Sequence, residues 1–312
     1  GYFKIVLKSQ TYKYSIQQTA LDGDKIGVDD INSLTAADIQ KIKDQINIEY
    51  SKTSTDARLA SKKGTALENK SDVVKNIEVS GGNITVTYKD DSTDTATISS
   101  IVRTNTKPTV DIEFSDPAPD KKEVYVYASE FNTFDIKIKD DSGKIASAEL
   151  RRGSNQPFKD VAGDATKQNT EFGFTANKIT AETTATAETP AVITYSGTPA
   201  PEGNFTKEKF EKAIQDGGTP LGKRFVMAID KDGADARGDR GTLADPTAVN
   251  VILKPQTLKY EISDVTDADK VTVANPAAVT DAEFEKVKEK VKIEYSKTNP
   301  DKRLESKRGQ NV

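Results

Sequence analysis

The chain contains no cysteine, no histidine and no tryptophan, and a single methionine in 312 residues. Without cysteine there are no disulfides, no thiolate nucleophiles and no thiolate metal sites. Without histidine the usual general base and the usual zinc and iron ligand are missing, and with them both the cysteine- and serine-based triads. Catalysis would fall to carboxylates, lysine and tyrosine alone. A carbohydrate-active enzyme would need buried paired carboxylates and an aromatic platform, which a chain with 7% aromatic residues hardly supplies. No run approaches the roughly 20 apolar residues of a membrane span. Neither a signal peptide nor a sorting signal is legible, so the expectation is an interior stretch of a longer protein. The 45 cations and 49 anions are mixed along the chain to a net charge of −4, leaving no basic face for nucleic acid or anionic lipid.

Apolar residues make up 35% and charged residues 30%, a composition of small cores and much wetted surface. At this length two or three domains are expected. Internal similarity shows how they are ordered. KSQTYKY at Lys8–Tyr14 returns as KPQTLKY at Lys254–Tyr260, and IEYSKTSTDARLASKKG at Ile48–Gly64 returns as IEYSKTNPDKRLESKRG at Ile293–Gly309. Even the lead-in recurs in pattern, FKIVLK at Phe3–Lys8 against VNVILK at Val249–Lys254, with a one-residue slip before Asp24 and Asp269. The chain is therefore expected to be multidomain: module A over 1–105, module B over 106–253 and a partial second copy of A over 254–312.

In module A, Thr35 opens a helical pattern with Ile39, Ile42, Ile46 and Tyr50 on one face, kept in the copy as Phe284, Val287, Val291 and Tyr295. Thr280 and Glu283 form a capping-box pair. Phe3–Leu7 and Tyr12–Ile16 alternate as strands, and Ile77 and Val79 face Ile84, Val86 and Tyr88 across a Ser80–Asn83 turn, which predicts a hairpin. This is a small α+β unit, one helix on a short sheet. Arg58–Lys63 is expected to be a solvated connection and Arg103–Pro108 a linker.

Module B carries strand-like runs at Val124–Tyr127, Phe134–Ile138, Ala191–Tyr195, Phe225–Ile229 and Val249–Leu253. Asp140–Lys144 (DDSGK) predicts a hairpin-type turn in which Gly143 takes positive φ. Phe205–Ile214 predicts a helical insertion capped by Thr206, and the Thr- and Ala-rich stretch Thr180–Thr189 a loose segment or strand edge. Many short strands with turn clusters between them predict an all-β, Ig-like sandwich.

The strings LKPQTLKY, IEYSKTNPDKRL, KPTVDIEF, EVYVYASEFNTFDIKIKDDSGKI and ITAETTATAETPAVITYSG together resemble repeats of large streptococcal and related wall-anchored surface proteins, among them fibronectin-binding streptococcal repeats. The resemblance covers nearly the whole chain. It implies an extracellular adhesin of a Gram-positive bacterium, anchored to the cell wall and built as a monomeric rod of tandem modules. Its implied partners are host matrix or plasma proteins such as fibronectin or plasminogen. It carries over no ligand-contacting residue.

Three constellations are candidate sites. Arg237-Gly238-Asp239 spells the tripeptide that integrins read through one cation and one carboxylate, against the bland alternative of an ordinary loop. Asp230, Asp232 and Asp235, with Asp239, space oxygen donors as a calcium loop does, although the EF-hand pattern is absent and a plain acidic turn competes. Asp140-Asp141 and Asp90-Asp91 are adjacent carboxylates at expected turns, where turn chemistry outweighs an acid-base pair. The ingredients of an internal Lys–Asn isopeptide bond are also abundant. The function expected is non-enzymatic: a repeat region that binds a host protein and projects an adhesin, or, as the alternative, a structural spacer.

Overall fold

A computed structural model describes residues 1–112, 123–151, 174–199, 207–237 and 247–312. In the first unit, β1 (Tyr14–Ile16), β2 (Ile26–Val28), α1 (Ala36–Gln45), β3 (Ile48–Tyr50), β4 (Val74–Ser80), β5 (Asn83–Tyr88), β6 (Thr93–Thr97) and β7 (Val102–Thr104) follow in order. β1 pairs antiparallel with β3, β2 parallel with β7, and β4, β5 and β6 form an antiparallel meander. The chain reverses between β4 and β5 at Gly81-Gly82, with φ of 55° and 76°, a left-handed pair that only glycine adopts without strain.

The α1 helix starts where Thr35 caps it. The Thr35 hydroxyl accepts from the Asp38 amide at 3.2 Å, while the Asp38 carboxylate accepts from the Thr35 amide at 2.9 Å. At its far end Lys70 donates to the carbonyls of Lys43 and Asp44 at 2.7 Å and of Ile46 at 3.0 Å, satisfying groups that have no partner within the helix. Ile42 and Ile46 then bury against Ile77, Ile84, Val86 and Tyr88. Two expectations fail here. Tyr50 leaves the helical face, because the chain turns at Ile46 to pair β3 with β1. Phe3–Leu7 is not a strand, since among the described residues no partner strand lies beside it, and its apolar side chains are exposed.

Module B is a sandwich. Its strands are β8 (Thr109–Ile112), β9 (Glu123–Tyr127), β10 (Asn132–Lys139), β11 (Lys144–Arg151), β12 (Phe174–Ala176), β13 (Thr183–Thr184), β14 (Ala191–Gly197), β15 (Thr219–Asp230) and β16 (Ala248–Lys254). They lie in two sheets ordered β12-β14-β10-β8 and β13-β11-β15-β16-β9. Inward residues of both, such as Ile136, Ile138 and Ile193 from one and Ile145, Val226 and Val251 from the other, share one core. α2 (Lys207–Gln215) brings Phe210 and Ala213 to it, while the cap expected at Thr206 lies outside the described residues.

The DDSG turn is a correction. β10 and β11 belong to different sheets, so the turn is a corner that carries the chain across the sandwich and not a hairpin, with Gly143 at φ 71° as expected. The Thr-rich stretch contributes β13, an edge strand on β11.

The second A copy supplies β17 (Tyr260–Ile262), α3 (Asp281–Lys290), capped by Thr280 and Glu283, and β18 (Ile293–Tyr295), paired with β17 as β3 pairs with β1. Residues 254–312 hold no counterpart of β4 to β7. The helix face is bared accordingly: Ile46 and Ile48 are each 1% exposed, whereas their equivalents Val291 and Ile293 are 47% and 42% exposed.

Candidate functional site

The expected calcium donors sit on the turn after β15, where module B meets module A. Asp230 is buried. Its Oδ1 accepts the amides of Asp232 at 2.8 Å and Ala234 at 2.9 Å, and its Oδ2 accepts Asn105 Nδ2 at 2.7 Å. The Asp232 side chain is 4% exposed and pairs with Arg103, 8% exposed, at 2.8 Å. It also takes the Lys231 ammonium at 3.0 Å and the Gly27 amide at 3.2 Å. Lys41 from α1 closes the joint by donating to the carbonyls of Gly27 at 2.6 Å and Asp232 at 3.1 Å. Asp235 instead grips Arg237, with Nη2 to Oδ2 at 2.7 Å. The three carboxylates thus turn to three different sets of donors. Among the described residues no group of three or more acidic side chains is placed to hold a metal ion.

Burial works to raise the Asp232 carboxyl, but the Lys231 ammonium, the Gly27 amide and Lys41 outweigh it and hold the group below its ordinary value. Asp140, partly buried one corner away, runs the other way: burial, aided by the Asp230 and Asp141 charges, raises it despite its bonds from Ser142. Asp141 completes the clamp, accepting Arg103 at 2.8 Å and the Thr106 hydroxyl at 2.8 Å. The two adjacent aspartates therefore serve separate partners. The Asp90-Asp91 pair lies on the β5–β6 turn, with Asp91 at φ 63°.

The backbones approach closely here. A Cβ on Gly27 would collide with the Asp232 carboxylate, and one on Gly23 would lie 2.7 Å from the Ser142 carbonyl oxygen. The expected Arg103–Pro108 linker is thus no free tether: β7 lies on β2, and Arg103 is locked between the units. Composition hides this role, but the repeat betrays it, because Gly23 and Gly27 align with Ala268 and Thr272 in the copy.

Of the RGD motif, Arg237 is held by Asp235 with its side chain 10% exposed, while Gly238 and Asp239 lie outside the described residues.

A second joint binds module B to the A copy. Tyr125, Tyr127 and Ile252 form a buried patch under Leu304. The Tyr127 hydroxyl donates to Asp301 at 3.2 Å, Asn299 donates to the Tyr127 hydroxyl oxygen at 3.3 Å, and Arg303 reaches the Tyr125 carbonyl. Lys259 lies 5.1 Å above the Tyr127 ring and pairs with Glu130. The repeated arginine of the expected solvated connection is therefore a docking residue in one copy and exposed in the other.

No known family pattern matches the chain. No curated protein matches it either. Among solved structures it is similar to the sialic acid binding region of a Streptococcus sanguinis SK1 adhesin bound to 3'sLn, at 22% identity over 87% of this chain with a TM-score of 0.43. The chain spans about half of that structure's length, 55%. It is also similar to the SrpA adhesin from Streptococcus sanguinis, at 17% identity over 63% of this chain and 90% of that one with a TM-score of 0.38. Fibronectin(III)-like modules of Clostridium thermocellum CbhA match at 16% identity over 59% of this chain and 66% of theirs, with a TM-score of 0.24. At these TM-scores the likenesses assign no ligand to the chain.

Proposed function

We propose that the chain is a non-enzymatic display array of a Gram-positive surface adhesin, built from units at 1–105, 106–253 and 254–312, which binds a host matrix or plasma protein and projects the adhesin from the wall. The observation that carries this is the pair of joints. Both connections of module B are closed by buried ion pairs and hydrogen bonds, which supports reading the modules as a fixed series. Repetition of such modules favours multivalent capture, because tethered copies raise the effective concentration at the next site.

The test is retention on immobilised fibronectin, plasminogen and a sialylated glycoprotein of arrays carrying one or several A–B pairs. Multivalent binding predicts a gain of about a hundredfold or more in apparent affinity on at least one surface. Equal retention, or none on any surface, supports a spacer with no ligand of its own.

A further inference from the structure

The joint between module B and the second A copy uses residues that the first A copy carries in part: Lys13, Asp56, Arg58 and Leu59 stand where Lys259, Asp301, Arg303 and Leu304 do, with Ser54 in place of Asn299 and Leu59 already buried. Asp301 and Arg303 form a fork that is 1% and 21% exposed, covered by the Tyr125–Tyr127 patch. Asp56 and Arg58 form the same fork at the same 2.7 Å, yet are 31% and 88% exposed. Lys13, the equivalent of Lys259, is likewise exposed. The fork is pre-shaped in both copies, and only one is docked.

The lead-in tells the same story independently. Val249–Lys254 is most of β16, a strand set between antiparallel β15 and parallel β9, with Val251 2% and Leu253 0% exposed in the sandwich core. Its equivalent Phe3–Lys8 has the same alternation, yet Ile5 is 85% and Leu7 99% exposed and, among the described residues, no strand lies beside it. Val6 corresponds to Ile252, which packs under Leu304 in the docked joint. A row of bare apolar side chains at strand spacing, continuous with an uncovered docking fork, is a surface shaped for one kind of neighbour.

We infer that the first A module receives a second B-type sandwich on this face, with Phe3–Lys8 entering that sandwich as its last strand. Phe3, Ile5 and Leu7 point into its core as Val249, Val251 and Leu253 do, Val6 covers its aromatic patch, and Arg58 reaches its backbone as Arg303 reaches Tyr125. The occupant is a sandwich joined ahead of module A in the same polypeptide, since the equivalent strand in a complete sandwich is already in place. The inference is independent of what the modules bind.

The experiment places residues 106–248 directly ahead of Phe3 in the otherwise full chain and follows backbone hydrogen exchange at residues 3–8. Exchange there should slow by about a hundredfold or more relative to the parent chain. Ile5→Asp, an inward position, should abolish the protection, whereas Lys4→Asp, an outward position, should keep it. Arg58→Glu should loosen the joint while leaving strand protection intact. A control chimera carries the residues of 249–254 at positions 3–8. Protection in the control alone overturns the entry of Phe3–Lys8 as a strand. Protection in neither overturns the docking of a B-type sandwich on this face.

Discussion

Asp232 gathers an arginine, two lysines and a backbone amide at a place where water is nearly excluded, and that sets what its removal costs. Deleting one partner of a buried, hydrogen-bonded pair leaves the others uncompensated, a loss of roughly 3–5 kcal/mol. Asp232→Ala should therefore lower the chain's thermal stability by that order in a melting experiment. Since these carboxylates already accept from amides and cations of the protein itself, millimolar calcium should leave the wild-type melting temperature unmoved. A rise with calcium would restore the metal reading. Gly27→Thr introduces the residue that the second copy carries at that position. It should force the Asp232 carboxylate aside and destabilise the first joint, seen as an early melting step that wild type lacks. The pH dependence follows from two opposed carboxyls. A carboxyl whose folded pKa is depressed, as for Asp232, contributes stability that is present above the unfolded value and lost as pH falls through the folded one. Asp140, raised by burial, contributes in acid and loses that contribution as pH rises through its folded pKa. On acidification below about pH 4, Asp232 should govern and the joint should loosen, a change that Asp232→Asn should blunt in a melting series across pH.

At the scale of elements, what is local was legible and what is long-range was not. The helices α1 and α3 announce themselves through Thr35 and Thr280 with carboxylates three residues on, and the β4–β5 hairpin through Gly81-Gly82, because caps and tight turns are written within four residues. The parallel pairing of β2 with β7 spans most of module A, and the DDSG corner looks like any turn until its two strands are seen in different sheets. Phe3–Leu7 shows the limit from the other side: alternation says that a segment suits a strand, while only a neighbour makes it one. The candidate site was half legible, since the acidic turn stood out but its partners Lys41 and Arg103 come from elements far along the chain. The bare face of α3 has its own consequence. Ile262, Val265, Val271, Val287 and Val291 line a groove of about 360 Å³ where the first copy packs β4 to β7. Lys70, which closes the end of α1, also has no equivalent in 254–312. Appending residues 68–105 after Val312 should fill the groove, slow hydrogen exchange along α3 and reduce binding of an apolar dye. Unchanged exchange would show that the second copy does not share the fold of the first.

For the whole molecule, the proposed arrangement is three units in series held by two joints of different make, and the account stands on their being rigid. The absence of cysteine makes this directly measurable, because two introduced thiols are the only ones present. Spin labels at Glu78→Cys in β4 and Glu289→Cys in α3, both exposed positions, report the separation between the first unit and the last across both joints. The account predicts one narrow distance distribution for the otherwise wild-type chain and a broad one once Asp232→Ala opens the first joint. A broad distribution in the wild-type background would contradict it.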